Sequence, residues 1–469
     1  MVSRLLLHCA DGLHAVSTPG LSDQQREKKL RPAAFGMLAE SLLLALVLVG
    51  VGVFYAASSM TSATLFDYDL YSFAATLFIL LGSIAFVVII RLLNRSSALT
   101  DEDTANYSEI DQALHAVALD NPLVPRTLLW FQCLGRRTPS SLEHPVWVAG
   151  LARSGTTLIS ELLYESEQFR CLTYRDMPFP LSPGLWMGMN RFGSRSADVR
   201  ERAHRDGMFV SLDSPEALEE VFWRVHCPEY IGRDRLSRHE PSDSHWNRFR
   251  DYIDAVLTAD RQRPRRYLAK NNNLAVRFDG LLGAIPEATV VVPFRDPIRQ
   301  AGSLLRQHRH WCKRHGEDVF SKRYMTWLVH HEFGSDHRPY DLRLPAKTMD
   351  PAPPYSPPDS VLWFELTHWV EQWIEVYRYL FENGNDRVLF VNYESLCSDP
   401  SPTLQSLFTK LDIDLPESTL QGHEARIKKF KPRESDTAVE ISTGIREEAI
   451  DLYEQMTRSL ATSTAAPRS

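Results

Sequence analysis

Two long apolar stretches dominate the pattern of hydrophobic and polar positions in the N-terminal part of the chain. Residues 35–57 and 72–93 are each long enough, at about 1.5 Å of rise per helical residue, to cross a hydrocarbon core about 30 Å thick. The polar segment between them, residues 58–71, contains no Lys or Arg, whereas basic residues flank the pair on both outer sides. By the positive-inside rule, this arrangement predicts a two-helix transmembrane hairpin with both ends, and the rest of the chain, in the cytoplasm.

After residue 144 the pattern changes to short apolar runs separated by stretches of helical periodicity. The runs are typical of buried strands in a parallel sheet, and their alternation with helical stretches predicts an α/β domain whose sheet lies between layers of helices. The predicted strands are residues 145–149, 266–270, 288–294 and 387–392. The chain then has four parts: a cytoplasmic segment at 1–34, the hairpin at 35–93, a helical linker at 94–144 and the α/β domain at 145–469.

Composition narrows the possible functions. The 469 residues, 44% of them hydrophobic and 24% charged, can bury a large core. The net charge of -7 provides no overall attraction to nucleic acid, so any anion must be bound by a local set of residues. The six cysteines form no CxxC pair, and the histidines within residues 308–331 lack the spacing of a zinc site. We therefore expect neither a disulfide framework nor a bound metal.

A loop with two glycines follows the first strand of the α/β domain. Residues 150–157 read Gly-Leu-Ala-Arg-Ser-Gly-Thr-Thr, and an apolar helical stretch follows. Gly150 and Gly155 allow the backbone to approach a ligand closely, and the amides that begin the helix favour an anion. The glycine spacing matches the phosphate loop of nucleoside triphosphatases, but Thr156 stands where they have Lys, and Arg153 is the cation of the loop. The pattern predicts a phosphate ligand other than a triphosphate.

A second candidate for anion binding follows the strand at 288–294. Arg295 stands at the exit of this strand, and a helix is predicted to begin near Ile298. Ser303 lies eight residues after Arg295, about two turns into the helix, so the two side chains can flank the same anion. The spacing thus predicts a second candidate site for an anion.

The motif Arg-Ser-Gly-Thr-Thr-Leu after an apolar strand, followed later by Arg295 and Ser303, resembles the sulfotransferases, in particular the branch that includes bacterial and protein-tyrosine sulfotransferases. The resemblance covers about residues 145–415. It implies a three-layer, P-loop nucleotide-kinase-like fold and a sulfotransferase domain at 145–469. It also implies 3′-phosphoadenosine 5′-phosphosulfate (PAPS) as the donor, with no metal required.

The resemblance further implies a role for each residue of the donor site. The phosphate loop holds the 5′-phosphosulfate, and the pair after the later strand holds the 3′-phosphate. The first group comprises Arg153, Ser154, Gly155, Thr156 and Thr157, and the second comprises Arg295 and Ser303. Lys270, at the end of strand 266–270, is assigned to the charge that develops on the leaving phosphate, which agrees with the electrostatics of an in-line displacement. Arg153 and Lys270 are therefore predicted to be catalytic.

An acceptor hydroxyl also needs a general base within reach of its proton. Asp176 stands where the family often has Glu. Glu216 lies within residues 213–220, whose pattern predicts the start of a helix with Pro215 in its first turn. Asp176 and Glu216 are the candidates for the base, with His331 in reserve.

The sequence thus predicts a membrane-anchored enzyme that transfers a sulfuryl group from PAPS to a hydroxyl or amine. Its position beside the bilayer suggests a lipid or glycan acceptor, and the Pro-rich residues 341–360 predict a loop. Two alternatives remain. An ATP-dependent small-molecule kinase would need the Lys that Thr156 replaces and an acid for magnesium, and a non-catalytic membrane scaffold would keep the fold without turnover.

Overall fold

The computed structural model describes residues 109–134, 142–190, 200–201, 209–210, 215–259, 266–345, 361–427 and 441–463. The predicted N-terminal segment and transmembrane hairpin, residues 1–93, lie outside these ranges. Within the described residues, no helix combines the length and the apolar character needed to cross a membrane. Two compact units divide the chain, Met1–Val117 and Ala118–Ser469, and the second contains the predicted α/β domain.

Helices and strands alternate along most of the described chain. The helices are α1 (Glu109–Leu119), α2 (Leu123–Cys133), α3 (Thr156–Tyr164), α4 (Pro183–Asn190), α5 (Glu220–His226), α6 (Asp243–Leu257), α7 (Phe278–Ala284), α8 (Pro297–Glu317), α9 (Val319–Trp327), α10 (Leu366–Glu382), α11 (Tyr393–Ser398), α12 (Pro400–Lys410), α13 (Glu417–Ile427) and α14 (Thr443–Ser463). The strands are β1 (Val146–Val148), β2 (Phe169–Arg170), β3 (Arg200–Glu201), β4 (Phe209–Val210), β5 (Leu236–Arg238), β6 (Arg266–Lys270), β7 (Thr289–Phe294), β8 (Tyr340–Pro345) and β9 (Val388–Asn392). Short 3-10 turns occupy Tyr174–Asp176, Pro228–Tyr230, Asn272–Arg277 and Val361–Phe364.

The central sheet has five parallel strands in the order β2-β6-β1-β7-β9. Val148 of β1 lies opposite Lys270 of β6 on one side and Val291 of β7 on the other. Strand β1 is therefore the place where the strand order reverses, and ligands of open α/β sheets bind outside the carboxyl ends of the strands at such a point. The loops that follow β1, β6 and β7 meet at this edge.

The alternation of side chains along β1 places apolar groups on both faces of the sheet. Val146 and Val148 are completely buried in a cluster with residues of α3 and α12, including Leu158. Trp147 points to the opposite face, where its ring centroid lies 6.4 Å from that of Phe249 in α6. The sheet thus lies between two helical layers, as the sequence pattern predicts.

Two local predictions are wrong. The helix expected to start near Pro215 starts at Glu220, because Pro215 forms an antiparallel bridge with Thr173 and the amide of Glu216 donates to the carbonyl of Leu172. Residues 341–345 belong to strand β8 rather than to a loop, since this strand pairs with β5. In both cases pairing with a distant segment overrides the local sequence signal, and residues 346–360 lie outside the described ranges.

Candidate active site

The phosphate loop joins β1 to α3, and at two of its positions the backbone has a conformation that glycine adopts much more easily than other residues. Gly150 has φ of 120° and Gly155 has φ of 103°, both in the left-handed region. A Cβ atom at Gly155 would lie 2.7 Å from Cδ2 of Tyr393, closer than real Cβ contacts. The backbone at the start of α3 is therefore packed directly against the ring of Tyr393, and the amides of the first helical turn lie beside that contact.

Arg153 connects the two predicted halves of the donor site. Its backbone is also in the left-handed region, with φ of 71°, which costs free energy for a residue other than glycine and is often found at functional sites. Its Nε donates a hydrogen bond of 3.2 Å to Oγ of Ser303 in α8. Ser303 itself is buried. The structure thus brings together the loop and the helix that the sequence assigned to the same nucleotide.

A buried amide fixes the loop against the neighbouring helices. Nε2 of Gln300 donates to the carbonyl of Ala152 over 3.1 Å, and its Oε1 accepts a 3.0 Å hydrogen bond from Nε1 of Trp373 in α10. The same indole lies 3.2 Å from the carbonyl oxygen of Arg295. No sequence motif marks Gln300, because its hydrogen-bond partners come from two other segments of the chain.

The side chain of Arg295 lies at the exit of β7 and is 12% exposed. Its guanidinium carbon sits 5.0 Å from the centroid of the Tyr393 ring, and Nε is 3.8 Å from a carboxylate oxygen of Glu394. Among the described residues, this buried Nε has no hydrogen-bond partner. Burial raises the pKa of Glu394, although the hydrogen bond from the amide of Asp296 and the charge of Arg295 oppose this shift. An unpaired buried donor of this kind fits an anionic ligand.

Lys270 ends β6 and is buried beside Glu216. Its Nζ lies 3.5 Å from Oε1 of Glu216, and both side chains are less than a tenth exposed. The hydroxyl of Tyr174 also donates to this carboxylate. The backbone amide of Asn271 donates a 3.0 Å hydrogen bond to the carbonyl of Val148 in β1. Lys270 therefore lies next to the strand that leads into the phosphate loop. The predicted cation is therefore at the predicted edge of the sheet.

The carboxylate of Asp176 stabilises a turn of the backbone. Its carboxylate accepts hydrogen bonds from Arg170 over 3.0 Å and from the amide of Thr173 over 2.8 Å, and the side chain is buried. These contacts form a capping box around the turn that follows β2. Both oxygens of Asp176 are used to hold this turn, whereas Glu216 is the acid that contacts Lys270. Geometry thus favours Glu216 among the two predicted acids.

The sequence did not identify a further pair of residues near Lys270, His330 and Glu332. His331, the reserve candidate for the base, has Nδ1 2.9 Å from the carbonyl oxygen of Asp336 and 3.2 Å from its carboxylate. The adjacent His330 instead has Nδ1 3.3 Å from Oε1 of Glu332. The histidines of this region gave no signal that distinguishes His330 from His331, because the distinction depends on which side of a turn each ring faces.

One group of residues has the composition of a metal site. Within the described residues, Cys227, Glu229 and His239 bring ligand atoms within 4.8 Å of one another. However, Nε of Arg277 donates to Nδ1 of His239 over 3.2 Å, and an arginine can only donate. The ring proton of His239 therefore lies on Nε2, 3.0 Å from Sγ of Cys227. The sulfur accepts this proton, so a hydrogen-bonded network accounts for the cluster.

Comparisons with known proteins find similarity to one family and to several solved structures. The model of the sulfotransferase family matches residues 145–342. No curated protein matches significantly. Solved structures with similarity include sulfotransferase STF9 from Mycobacterium avium, at 15% identity over 76% of this chain and 98% of that chain, with a TM-score of 0.41. Sulfotransferase STF1 from Mycobacterium tuberculosis H37Rv has 12% identity over 78% of this chain and 91% of that chain, with a TM-score of 0.40.

The family match begins at the strand before the phosphate loop and ends in β8, so it spans Arg153, Lys270, Arg295 and Ser303. The resemblance inferred from the loop motif is confirmed. Through residues 145–342, this chain is similar to the sulfotransferase family, as the loop motif predicts.

Proposed function

We propose that this protein transfers the sulfuryl group of PAPS to a hydroxyl or amine of an acceptor. The observation that carries the proposal is the 3.2 Å hydrogen bond from Arg153 to Ser303. It joins residues that are 150 positions apart in the sequence and that the resemblance assigns to the two phosphate groups of one nucleotide. The bond lies at the carboxyl edge of a parallel sheet, the usual place for such a ligand.

The residues present fit PAPS. The N-terminus of α3 and the guanidinium of Arg153 suit the 5′-phosphosulfate, because backbone amides and a cation both favour an anion. The unpaired Nε of Arg295 and the hydroxyl of Ser303 suit the 3′-phosphate. When bound, PAPS supplies a sulfuryl group whose leaving group is a phosphate.

Lys270 is the residue we assign to the leaving phosphate. Because it is buried and held beside Glu216, its ammonium is already in place before the reaction. A preorganised charge of this kind contributes about 10²–10³ in rate when negative charge develops nearby. Thr156, which replaces the Lys of triphosphate-binding loops, begins α3 and leaves Arg153 as the loop cation.

A thermal-shift titration of the full-length protein in detergent tests the donor. We compare 3′-phosphoadenosine 5′-phosphate (PAP), the product left after transfer, with ATP. PAP at about 100 times its Kd stabilises the folded state by about 2.7 kcal/mol, and ATP at the same concentration should do much less. Preferential stabilisation by ATP favours the kinase alternative and contradicts the proposal. Binding of PAP without any turnover favours the scaffold.

We also propose that residues 35–57 and 72–93 anchor the enzyme in the membrane with its active site in the cytoplasm. The proposal rests on their length and on the distribution of Lys and Arg around them. A lipid or a lipid-linked glycan is then the acceptor class closest to the site. A cytoplasmic reporter fused to the C-terminus should be active, whereas activity of a periplasmic or lumenal reporter contradicts this orientation.

A further inference from the structure

The segment that carries His330 is held in a strained conformation. Val329 has φ of 57°, and a β-branched residue in the left-handed region is a genuine outlier that persists only when its surroundings enforce it. The carbonyl of Val329 accepts a 2.8 Å hydrogen bond from the buried amide of Asn273, and its own amide donates to Thr326. The chain turns at Val329, immediately before His330. The hydrogen bonds of Val329 to Asn273 and Thr326 hold this turn and therefore restrict the position of the His330 ring.

The ring of His330 is paired with a buried carboxylate. Nδ1 of His330 lies 3.3 Å from Oε1 of Glu332, and Nδ2 of Asn272 donates to the same oxygen over 2.9 Å. Glu332 is 4% exposed, whereas His330 is 20% exposed. The carboxylate is therefore held inside the protein, and the ring that it orients is partly exposed. Asn272 lies two residues after Lys270, the last residue of β6. Its hydrogen bond to Glu332 therefore places His330 and Glu332 near the carboxyl end of this strand.

The charges around His330 favour a basic imidazole. Burial alone would lower the pKa of His330, but Glu332 and Glu216 raise it above its usual value against the opposing charge of Lys270. Burial alone would raise the pKa of Glu332, but His330 and Asn272 lower it to about 2. Glu332 is thus ionised at neutral pH. His330 shares its surroundings with the same Lys270 and Glu216 that form the centre of the candidate site.

Building on the proposed function, we propose that His330 is the general base that takes the proton of the acceptor and that Glu332 is the residue that positions it. Glu216, one of the two acids predicted as candidates for the base, is bound by Lys270, Tyr174 and the amide of Ala217. Within the described residues, by contrast, Nε2 of His330 has no hydrogen-bond partner in the protein. Glu216 instead holds the charge of Lys270 in place.

The proton balance of the step follows from the tautomer. Nδ1 of the neutral ring keeps its proton and donates it to Glu332, which leaves the lone pair on Nε2. The acceptor oxygen forms a bond to sulfur while the bond between sulfur and the bridging phosphate oxygen breaks. The hydroxyl proton moves to Nε2 of His330, and the electron pair of the broken bond leaves with the phosphate of PAP.

The test measures PAP formation from PAPS by the full-length protein, with a membrane extract of the expression host as the source of acceptors. The variants are His330→Asn and Glu332→Gln, with His310→Asn in α8 as the matched histidine control. We expect His330→Asn to lower kcat by about 10²–10⁴ while the affinity for PAP, measured by calorimetry, is unchanged. The control should behave as the parent protein.

The pH profile distinguishes a positioning role of Glu332 from a merely structural one. Activity of the parent should rise with pH through the raised pKa of His330, because the base must be neutral. In Glu332→Gln this limb should move to lower pH, and Glu332→Asp should restore part of the shift. A purely structural role would lower activity equally at every pH.

The outcomes separate this inference from the proposed function. Unchanged kcat in His330→Asn, or loss of the acidic limb in Glu216→Gln alone, overturns the assignment of His330 and leaves sulfuryl transfer intact. Failure of the parent protein to bind PAP or to consume PAPS contradicts the proposed function itself.

Discussion

At the scale of single residues, Arg295 should determine whether the protein recognises a 3′-phosphate. Its Nε is buried without a partner among the described residues, so a phosphate there completes a charge-assisted contact. Arg295→Ala should weaken PAP binding by about 1.5–3 kcal/mol, or roughly 10- to 100-fold in Kd. Calorimetric titration with PAP and with AMP, which lacks the 3′-phosphate, measures the difference.

The control for Arg295 is Arg306→Ala, an exposed arginine of helix α8, which begins two residues after Arg295. It should leave both affinities unchanged. If Arg295→Ala weakens AMP as much as PAP, then Arg295 does not contact the 3′-phosphate.

The residues of the proposed donor site occur in short motifs at strand exits, so the sequence alone predicts that they lie at one edge of the sheet. Arg153 and Ser303 were expected to serve one nucleotide, and they form a hydrogen bond. Gln300 was not predictable, since its partners come from other segments. His330 and Glu332 are only two residues apart, but Glu332 is bound by Asn272 of a distant segment, so the place of the pair in the fold was not predictable either. Local spacing contains no information about such long-range contacts.

At the scale of elements, helix α5 is tied to the turn after β6 by a buried ion pair. Arg277 forms two hydrogen bonds to Glu220, of 2.9 and 2.6 Å, and both side chains are at most 3% exposed. Its guanidinium carbon also lies 4.7 Å from the ring centroids of Trp223 and Tyr230. The pair therefore fixes the segment that follows Glu216 against the end of β6.

Breaking this ion pair should destabilise the fold strongly. Arg277→Met leaves the carboxylate of Glu220 buried without its cation, which typically costs about 3–5 kcal/mol in the free energy of unfolding. The double variant Glu220→Leu with Arg277→Met should recover most of this loss. Urea denaturation measures the free energy of unfolding of the single and the double variant.

The matched control is Arg238→Met, which removes an exposed ion pair with Glu240 and should cost less than about 1 kcal/mol. Equal losses in Arg238→Met and Arg277→Met would show that burial of the pair does not matter.

Four of the five strands of the sheet were predicted well, whereas the short strand β2 and the irregular segments were not. Strand β6 has the predicted bounds, and β1 and β7 differ by a residue or so at their ends. The start of α5 was placed too early, because the bridge between Pro215 and Thr173 keeps the preceding segment extended. Continuous apolar runs report burial directly, whereas the end of a helix depends on what its neighbours pair with.

At the scale of the whole molecule, buried histidines should make the protein sensitive to acid. Burial lowers the pKa of His308 to about 4, and the neighbouring His368 adds to this shift. Burial also lowers the pKa of His368 to about 4 and that of His337 well below its usual value. These rings come from α8, the segment before β8, and α10, and Nε2 of His337 lies 2.9 Å from Nε2 of His368.

The direction of the pH effect follows from proton binding. Below about pH 6.5 the unfolded chain protonates these histidines, whereas the folded protein does not until about pH 4. The free energy of unfolding should therefore fall as the pH drops from about 6.5 to 4, by up to about 1.4 kcal/mol per pH unit and histidine. Urea denaturation across this range measures the slope, and His368→Gln should reduce it. A free energy of unfolding that stays constant over this range contradicts the prediction.

The central claim is transfer of sulfate from PAPS, and the most direct measurement is incorporation of ³⁵S from labelled PAPS into a membrane extract. We expect the parent protein to label an acceptor and Arg153→Ala to reduce the rate by about tenfold or more, because the proposed role of Arg153 is a charge-assisted contact with the donor. Labelling that is equal for the parent and for Arg153→Ala, or no labelling by either, would contradict the account.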